Sequence, residues 1–301
     1  MNNKINFSNI SFFYNPKILG AEKLVDNIIA MYESKLGLIN KIPLILNKQN
    51  QLLHKYENQL VNSDLIICVG GDGTALRLAQ SIRTSSVPIF GIRMGRLGFL
   101  TESTADEASQ KIESILKGKF YIEKRRLIKA IYEKSIFYAL NDFVIGRKNL
   151  GKTASIGVWI NNIPIAEYRS DAVIIASATG STGYTLSIGG PILMPNSDSM
   201  IIMPLAPHLT PSNPIVLEPD NAVDLQILRG DESIMVIDGI KECKINAGKK
   251  VQISISTSSI SFIRVQDSYN FLNRVADKLG WLRKDNDINE INEIKKNSEL
   301  K

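Results

Sequence analysis

The chain has 301 residues, 44% hydrophobic and 22% charged, which suits a globular protein of two domains rather than a disordered or fibrous one. Its net charge of +6 suits a phosphorylated ligand or weak nucleic-acid contact, but no basic run exceeds three residues, and no nucleic-acid partner is expected. Two cysteines exclude a disulfide framework and point to a reducing cytoplasm. Two distant histidines offer no tetrahedral zinc site, so no metal ligands are assigned. No apolar run approaches the ~18 residues a membrane span requires, so neither a membrane partner nor a signal peptide is expected.

In chain order, Ile10–Tyr14 reads as a strand, 21–36 as an amphipathic helix, 42–46 as a strand and 49–60 as a polar helix. The run Leu65–Val69 is a buried strand that breaks into Gly70-Gly71-Asp72-Gly73-Thr74, and 75–83 reads as a helix. A strand that ends in glycines and opens a helix leaves free amides at a positive helix end, a setting suited to phosphate. Here Gly70, Gly71 and Thr74 are the phosphate-binding candidates, and Asp72 is the carboxylate that would face the ligand. The strand 87–92 runs into a second glycine turn at 91–98. The helix 104–116 carries a capping box, Thr104 with Glu107, and stops at Gly118. Strands alternating with helices predict a parallel sheet with its ligand beyond the carboxyl ends of the strands.

After residue 118 the pattern becomes strand after strand: 122–132, 136–146, 155–168, 172–178, 200–205, 223–228, 234–237 and 251–265. The triplet Lys124-Arg125-Arg126 is expected on a solvated strand or its edge. The fold class expected is therefore an N-terminal α/β domain with a parallel sheet (1–118) plus a C-terminal, mostly antiparallel β-sandwich domain (119–268). A helix at 269–283 is expected to dock back on the first domain. Residues 284–301 read as a charged tail, disordered or a fraying helix.

The stretch Arg169–Ile192 places Thr179-Gly180-Ser181-Thr182-Gly183-Tyr184, Ser187 and Gly189-Gly190-Pro191 after a strand, a dense set of donors with little bulk that suits a nucleotide. Asp171 stands just before that strand and is expected near the same loop. Gly146–Thr153 has the spelling of a phosphate-binding P-loop. That loop needs a helix directly after Lys-Thr, and Ser155–Ile160 alternates as a strand, so an NTPase site is rejected.

Taken together, GGDGT at 70–74, the second glycine turn ending in Gly98-Phe99-Leu100, Asn141-Asp142 and TGSTGYTLSIGGP at 179–191 resemble the NAD kinase family, in order from residue 64 to about 240. The resemblance implies an ATP- or polyphosphate-dependent enzyme that phosphorylates the adenosine-ribose 2′-hydroxyl of NAD to give NADP. Mg²⁺ would be held largely by the donor's phosphates, and the family's usual form is a homodimer or homotetramer. It assigns Asp72 as the catalytic residue that orients the 2′-hydroxyl or accepts its proton. Gly73 would lie against the dinucleotide, and Arg77 against its phosphates or the donor's. Asn141 and Asp142 would bind the adenosine portion. Lys152, Arg169 and Asp171 are expected at the substrate, the last two across a subunit interface. Thr182, Gly183, Tyr184, Thr185, Leu186 and Ser187 would wrap the dinucleotide. Arg93 stands where the family commonly has Asn, Ser177-Ala178 replaces Thr-Pro, and Asp142 replaces Glu. The readings weighed against this one are a lipid or sugar kinase sharing GGDGT, and a non-catalytic dinucleotide-binding module.

Overall fold

The computed structural model describes residues 7–34, 36–47, 50–96, 98–148, 153–209, 211–229, 232–265 and 271–281. Lys152 and the expected tail lie outside them. The N-terminal elements are β1 (Asn9–Tyr14), α1 (Ala21–Tyr32), β2 (Leu38–Pro43), α2 (His54–Val61), β3 (Leu65–Gly70), α3 (Asp72–Ser81), β4 (Ile89–Arg93), β5 (Ser103–Thr104) and α4 (Ala108–Leu116). There follow β6 (Tyr121–Tyr132), β7 (Ser135–Ala139), β8 (Asp142–Arg147), β9 (Ala154–Ile160), β10 (Ile163–Ser170), β11 (Ala172–Ser177) and α5 (Tyr184–Ser187). The last are β12 (Met200–Leu205), β13 (Ile215–Leu217), β14 (Ala222–Arg229), β15 (Ser233–Ile237), β16 (Lys241–Ile245), β17 (Lys250–Arg264) and α6 (Phe271–Leu279). Contacts divide the chain into two units, 1–266 and 267–301, and α6 belongs to the second.

Strands β2, β1, β3 and β4 pair in parallel. Successive side chains of a strand point to opposite faces, so Phe12 and Phe13 of β1 enter different cores. One core holds Val25 and Ile28 of α1 with Ile112 and Ile115 of α4. The other holds Leu60 of α2 with Ala75, Leu78 and Ala79 of α3. Both faces of β3 are covered, which is why its sequence is one apolar run rather than an alternation.

The 15-residue β17 joins the two halves. It pairs with β4 at Phe262↔Ile89, and with β6 and β14 in antiparallel. Beyond β14 the same sheet continues through β9 to β10. A second sheet, β13-β12-β11-β8-β15-β16, is antiparallel throughout. The two sheets enclose a core that includes Ile156, Val158, Val173, Ile175, Leu225 and Ile253. The architecture is thus an α/β half with a parallel sheet and a β-sandwich half.

Several boundaries differ from the sequence expectation for identifiable reasons. The expected strand 136–146 is two strands, because at Leu140 and Asn141 the amides turn to the Asp238 carboxylate instead of a neighbouring strand. The expected strand 155–168 is a hairpin folded at Asn161-Asn162, both at positive φ. The capping box forms, with Thr104 and Glu107 each accepting from the other's amide at 3.2 and 3.3 Å respectively, but regular helix starts only at Ala108. Strand β9 follows Thr153 where a P-loop would need a helix. Arg125 is not solvated: it is 1% exposed and bonded to Glu123 at 2.6 Å. Among the described residues no helix is long and apolar enough to cross a membrane.

Candidate active site

The glycine turn lies at the carboxyl end of β3. Gly71, extended, precedes α3, and Asp72 is the first helical residue. A side chain at Gly70 would collide with that of Thr74, whose amide donates to Gly71 O at 2.9 Å. Gly70 and the buried Thr74 therefore shape the turn from inside. Gly71 and Gly73 have the opposite setting: a Cβ on either would meet nothing within 4 Å. The first N–H groups of a helix have no partner within it, so the open side of this turn presents donors and a positive dipole end.

Asp72 is held from the second glycine turn. Its carboxylate accepts from the amides of Phe99 at 2.7 Å, Leu100 at 3.1 Å and Thr101 at 3.4 Å. Two carboxylate oxygens offer about four lone-pair sites, so capacity remains for one further donor. Arg93, last residue of β4, is in register with Gly70, which sets its strand end beside the turn. Arg77, on α3, donates to Asn50 Oδ1 at 3.2 Å.

A second cluster forms around Asn141 and Asp142. Asp142 pairs with Ala176 across β8 and β11. The turn after β11 then folds back over the pair: Ser177 N donates to Asn141 O at 2.8 Å, and Gly180 lies so close to that carbonyl that no side chain fits. A Cβ at Gly183 would stand 3.4 Å from Asn141 Nδ2 and 3.8 Å from Asp142 Oδ2. Ser177 Oγ donates to Leu140 O and accepts from Gly180 N at 3.1 Å, so this serine fastens the loop where the resembled family has Thr-Pro. Thr182 Oγ1 donates to Thr179 O at 3.0 Å. Tyr184 and Ser187 are exposed, Leu186 is half-buried, and Thr185 is fully buried beneath Gly190.

Sequence reasoning missed Asp238. It is buried, stands at φ 51°, and accepts from the amides of Leu140 at 2.9 Å, Asn141 at 2.7 Å and Asp142 at 3.1 Å, and from Gln80 Nε2. Gln80 belongs to α3, so the helix that begins at Asp72 is tied through Asp238 to the Asn141-Asp142 pair. Burial, and then the Asp238 charge, push the Asp142 carboxyl up to about 7. Burial likewise raises Asp238 against the opposing pull of its donors. The only local sign in the sequence was Asp-Gly after an apolar strand, a turn signal.

Asp171 is not near the loop that follows its strand. It precedes β11, whose six residues at ~3.3 Å each carry the chain about 20 Å before the glycine loop begins. There Asp171 pairs with Arg147 at 2.5 Å, and Arg169 O accepts the His208 amide at 2.7 Å. Arg169 and Asp171 thus stand at the opposite end of β11 from Asn141, Asp142 and Gly183. Burial raises the thiols of Cys68 and Cys243, which suits inert packing residues.

An open glycine turn with a fixed carboxylate at a helix start, on the carboxyl edge of a parallel sheet, is the arrangement of a phosphotransferase that works on nucleotides. The profile of the ATP-NAD kinase N-terminal domain matches residues 40–120, and that of the ATP-NAD kinase C-terminal domain matches residues 140–265. The NAD kinase of Caldicellulosiruptor saccharolyticus is 32% identical over 261 residues, covering 85% of this chain and 99% of the relative. That of Dehalococcoides mccartyi (strain CBDB1) is 34% identical over 231 residues, 75% of this chain and 81% of the relative. In fold, the chain is similar to an NAD kinase from Archaeoglobus fulgidus in complex with ATP (TM-score 0.71, 23% identity, 88% of this chain and 96% of that one). It is also similar to yeast NADH kinase complexed with NADH (TM-score 0.82, 18% identity, 93% and 89%). The chain belongs to the NAD kinase family.

Proposed function

We propose that this chain transfers the terminal phosphoryl group of ATP, or of polyphosphate, to the 2′-hydroxyl of the adenosine ribose of NAD, giving NADP. The observation that carries the reading is Asp72: a carboxylate fixed by three consecutive amides at the mouth of an open glycine turn. Its remaining lone pair accepts the attacking hydroxyl, orienting it or taking its proton, a role worth about 10²–10⁴-fold. Phosphoryl transfer otherwise asks for positioning and charge neutralisation. The amides of the open turn and Arg77 serve the phosphates, with Gly73 against the dinucleotide. Asn141 and Asp142 hold the adenosine, and residues 182–187 cover it, Tyr184 and Ser187 from the exposed side.

Among the described residues no three His, Cys, Asp or Glu side chains come together to hold a metal ion. Mg²⁺ would arrive on the donor's phosphates and be held largely by them, which leaves the remaining lone pair of Asp72 to the attacking hydroxyl. Bound there, the ion would neutralise charge on the transferring group. The placement of Arg169 and Asp171 at the far end of β11 suits a homodimer or homotetramer in which that end completes a neighbour's site. The two cysteines fit a cytoplasmic enzyme.

The test is NADP formation from NAD, ATP and Mg²⁺ by the wild type and Asp72→Asn. The variant should lose about 10²–10⁴-fold in kcat while binding NAD within about tenfold of wild type. Equal loss of both would remove the assigned role. A wild type inactive with both ATP and polyphosphate would overturn the function.

A further inference from the structure

The two parts of the site stand on different halves of the chain. Asp72 and its amide cradle belong to the α/β half, whereas Asn141 and Asp142 stand at the start of β8 in the sandwich half. An acid accepts a hydroxyl proton only within about 2.6–3.2 Å, so the distance between the two parts must hold during reaction. Helix α3 packs Leu78 and Ala79 into one core with Leu140. Apolar contact is non-directional and lets a packed helix slide. Gln80, half-buried on the same helix, removes that freedom. Its Nε2 donates to Tyr138 O at 2.9 Å and to Asp238 Oδ2. Both partners are acceptors, so the amide nitrogen must face them and both of its protons are used.

Asp238 carries the constraint onward. Its Oδ2 also takes the Leu140 amide, and its Oδ1 takes those of Asn141 and Asp142. With Gln80 these are four donors, enough for the roughly four lone-pair sites of a carboxylate, so this acid serves the chain and has none left for a ligand. Gln80 lies eight residues beyond Asp72 on α3, about 12 Å along the axis. One short helix thus carries the reacting acid at its start and the bond toward the adenosine pair near its end. We infer that Gln80 is a positioning residue: through Asp238 it sets the height of α3 against Asn141 and Asp142, so that the 2′-hydroxyl of bound NAD meets Asp72. The inference rests on the proposed kinase function and adds a residue that acts without touching the reacting atoms.

Steady-state kinetics with NAD and Mg·ATP, and NAD titration without ATP, test this on Gln80→Met, which keeps the length and loses both donors. Gln80→Arg restores two donors to the same acceptors. A misplacement of about 1 Å costs about 10²-fold, so kcat of Gln80→Met should fall about 10- to 100-fold at a temperature where the variant is fully folded. KM for NAD and NAD binding should stay near wild type, and Gln80→Arg should regain most of the lost kcat. A normal kcat in Gln80→Met, or a raised KM for NAD or ATP without loss of kcat, overturns the inference. So does a deficit that Gln80→Arg leaves untouched, or one that merely tracks the unfolded fraction in a thermal scan. A wild type that forms no NADP would overturn the kinase reading and this inference with it, whereas an active wild type beside an equally active Gln80→Met counts against Gln80 alone.

Discussion

The Asp72 carboxylate occupies the space where a side chain on Gly98 would have to be: a Cβ built at Gly98 falls well inside contact distance of Asp72 Oδ1. The two residues are 26 positions apart, on separate turns that meet because β3 and β4 are neighbours in the sheet. Gly98 is thus set by the acid's position, not by a need for unusual backbone angles.

Gly98→Ala should therefore push the carboxylate off the amides of Phe99 and Leu100. A shift of about 1 Å at a reacting group costs about 10²-fold, so kcat should fall by that order with a smaller change in NAD binding. Turnover and NAD titration on the purified variant check it. A kcat within twofold of wild type would mean that the amide cradle does not fix the catalytic geometry.

The pH dependence of stability carries a signature of Asp142. Its carboxyl is raised from the ordinary 3.8 to about 7 in the folded chain. A raised acid favours the folded state while protonated, so this contribution is complete below the unfolded value and is lost as pH rises through about 7. Asp142→Asn stays neutral throughout and should lose less stability than wild type between pH 4.5 and 8. Urea titrations at both pH values measure this. Parallel losses would show that Asp142 ionises as freely folded as unfolded.

Arg264 is fully buried, bonded to Glu123 at 2.8 Å and to Leu100 O at 3.2 Å. Arg264→Met leaves Glu123 inside the protein with one cation fewer and should cost about 3–5 kcal/mol in denaturant unfolding. Arg264→Lys should recover part of that loss. Because Leu100 also supplies an amide to Asp72, the Met variant should lose turnover beyond its loss of stability. Full stability in Arg264→Met would show that the pair offsets no more than its own desolvation.

What the sequence made legible was local. Leu65–Val69 followed by GGDGT states a buried strand, a turn and a helix within about fifteen residues, and all three occur. Thr104 with Glu107 is a signal of the same short range, and the capping box formed. The illegible parts were carried by long-range partners. Nothing near Asp72 shows that Phe99 to Thr101 hold it, and nothing near Asn141 shows that Asp238, 97 positions on, draws its amide out of a strand. Arg125 read as solvated because charge usually is, whereas it is buried with Glu123 of the same strand as an ion-pair partner. Asp171 is close to Gly180 in sequence, yet an extended strand turns that closeness into distance.

Strand β17 has a consequence for the order in which the molecule is built. Ile260, Phe262 and Ile263 complete the two cores on either side of the parallel sheet, and Val251 and Ile253 complete the sandwich core. A ribosome makes the GGDGT segment early, yet the sheet beneath it gains this strand only after residue 264 has emerged. The first hundred residues must wait for the last strand, the slow, non-local closure that high contact order imposes. A chain cut short of residue 250 would carry every residue assigned to the site and still have no finished sheet on which to hold them.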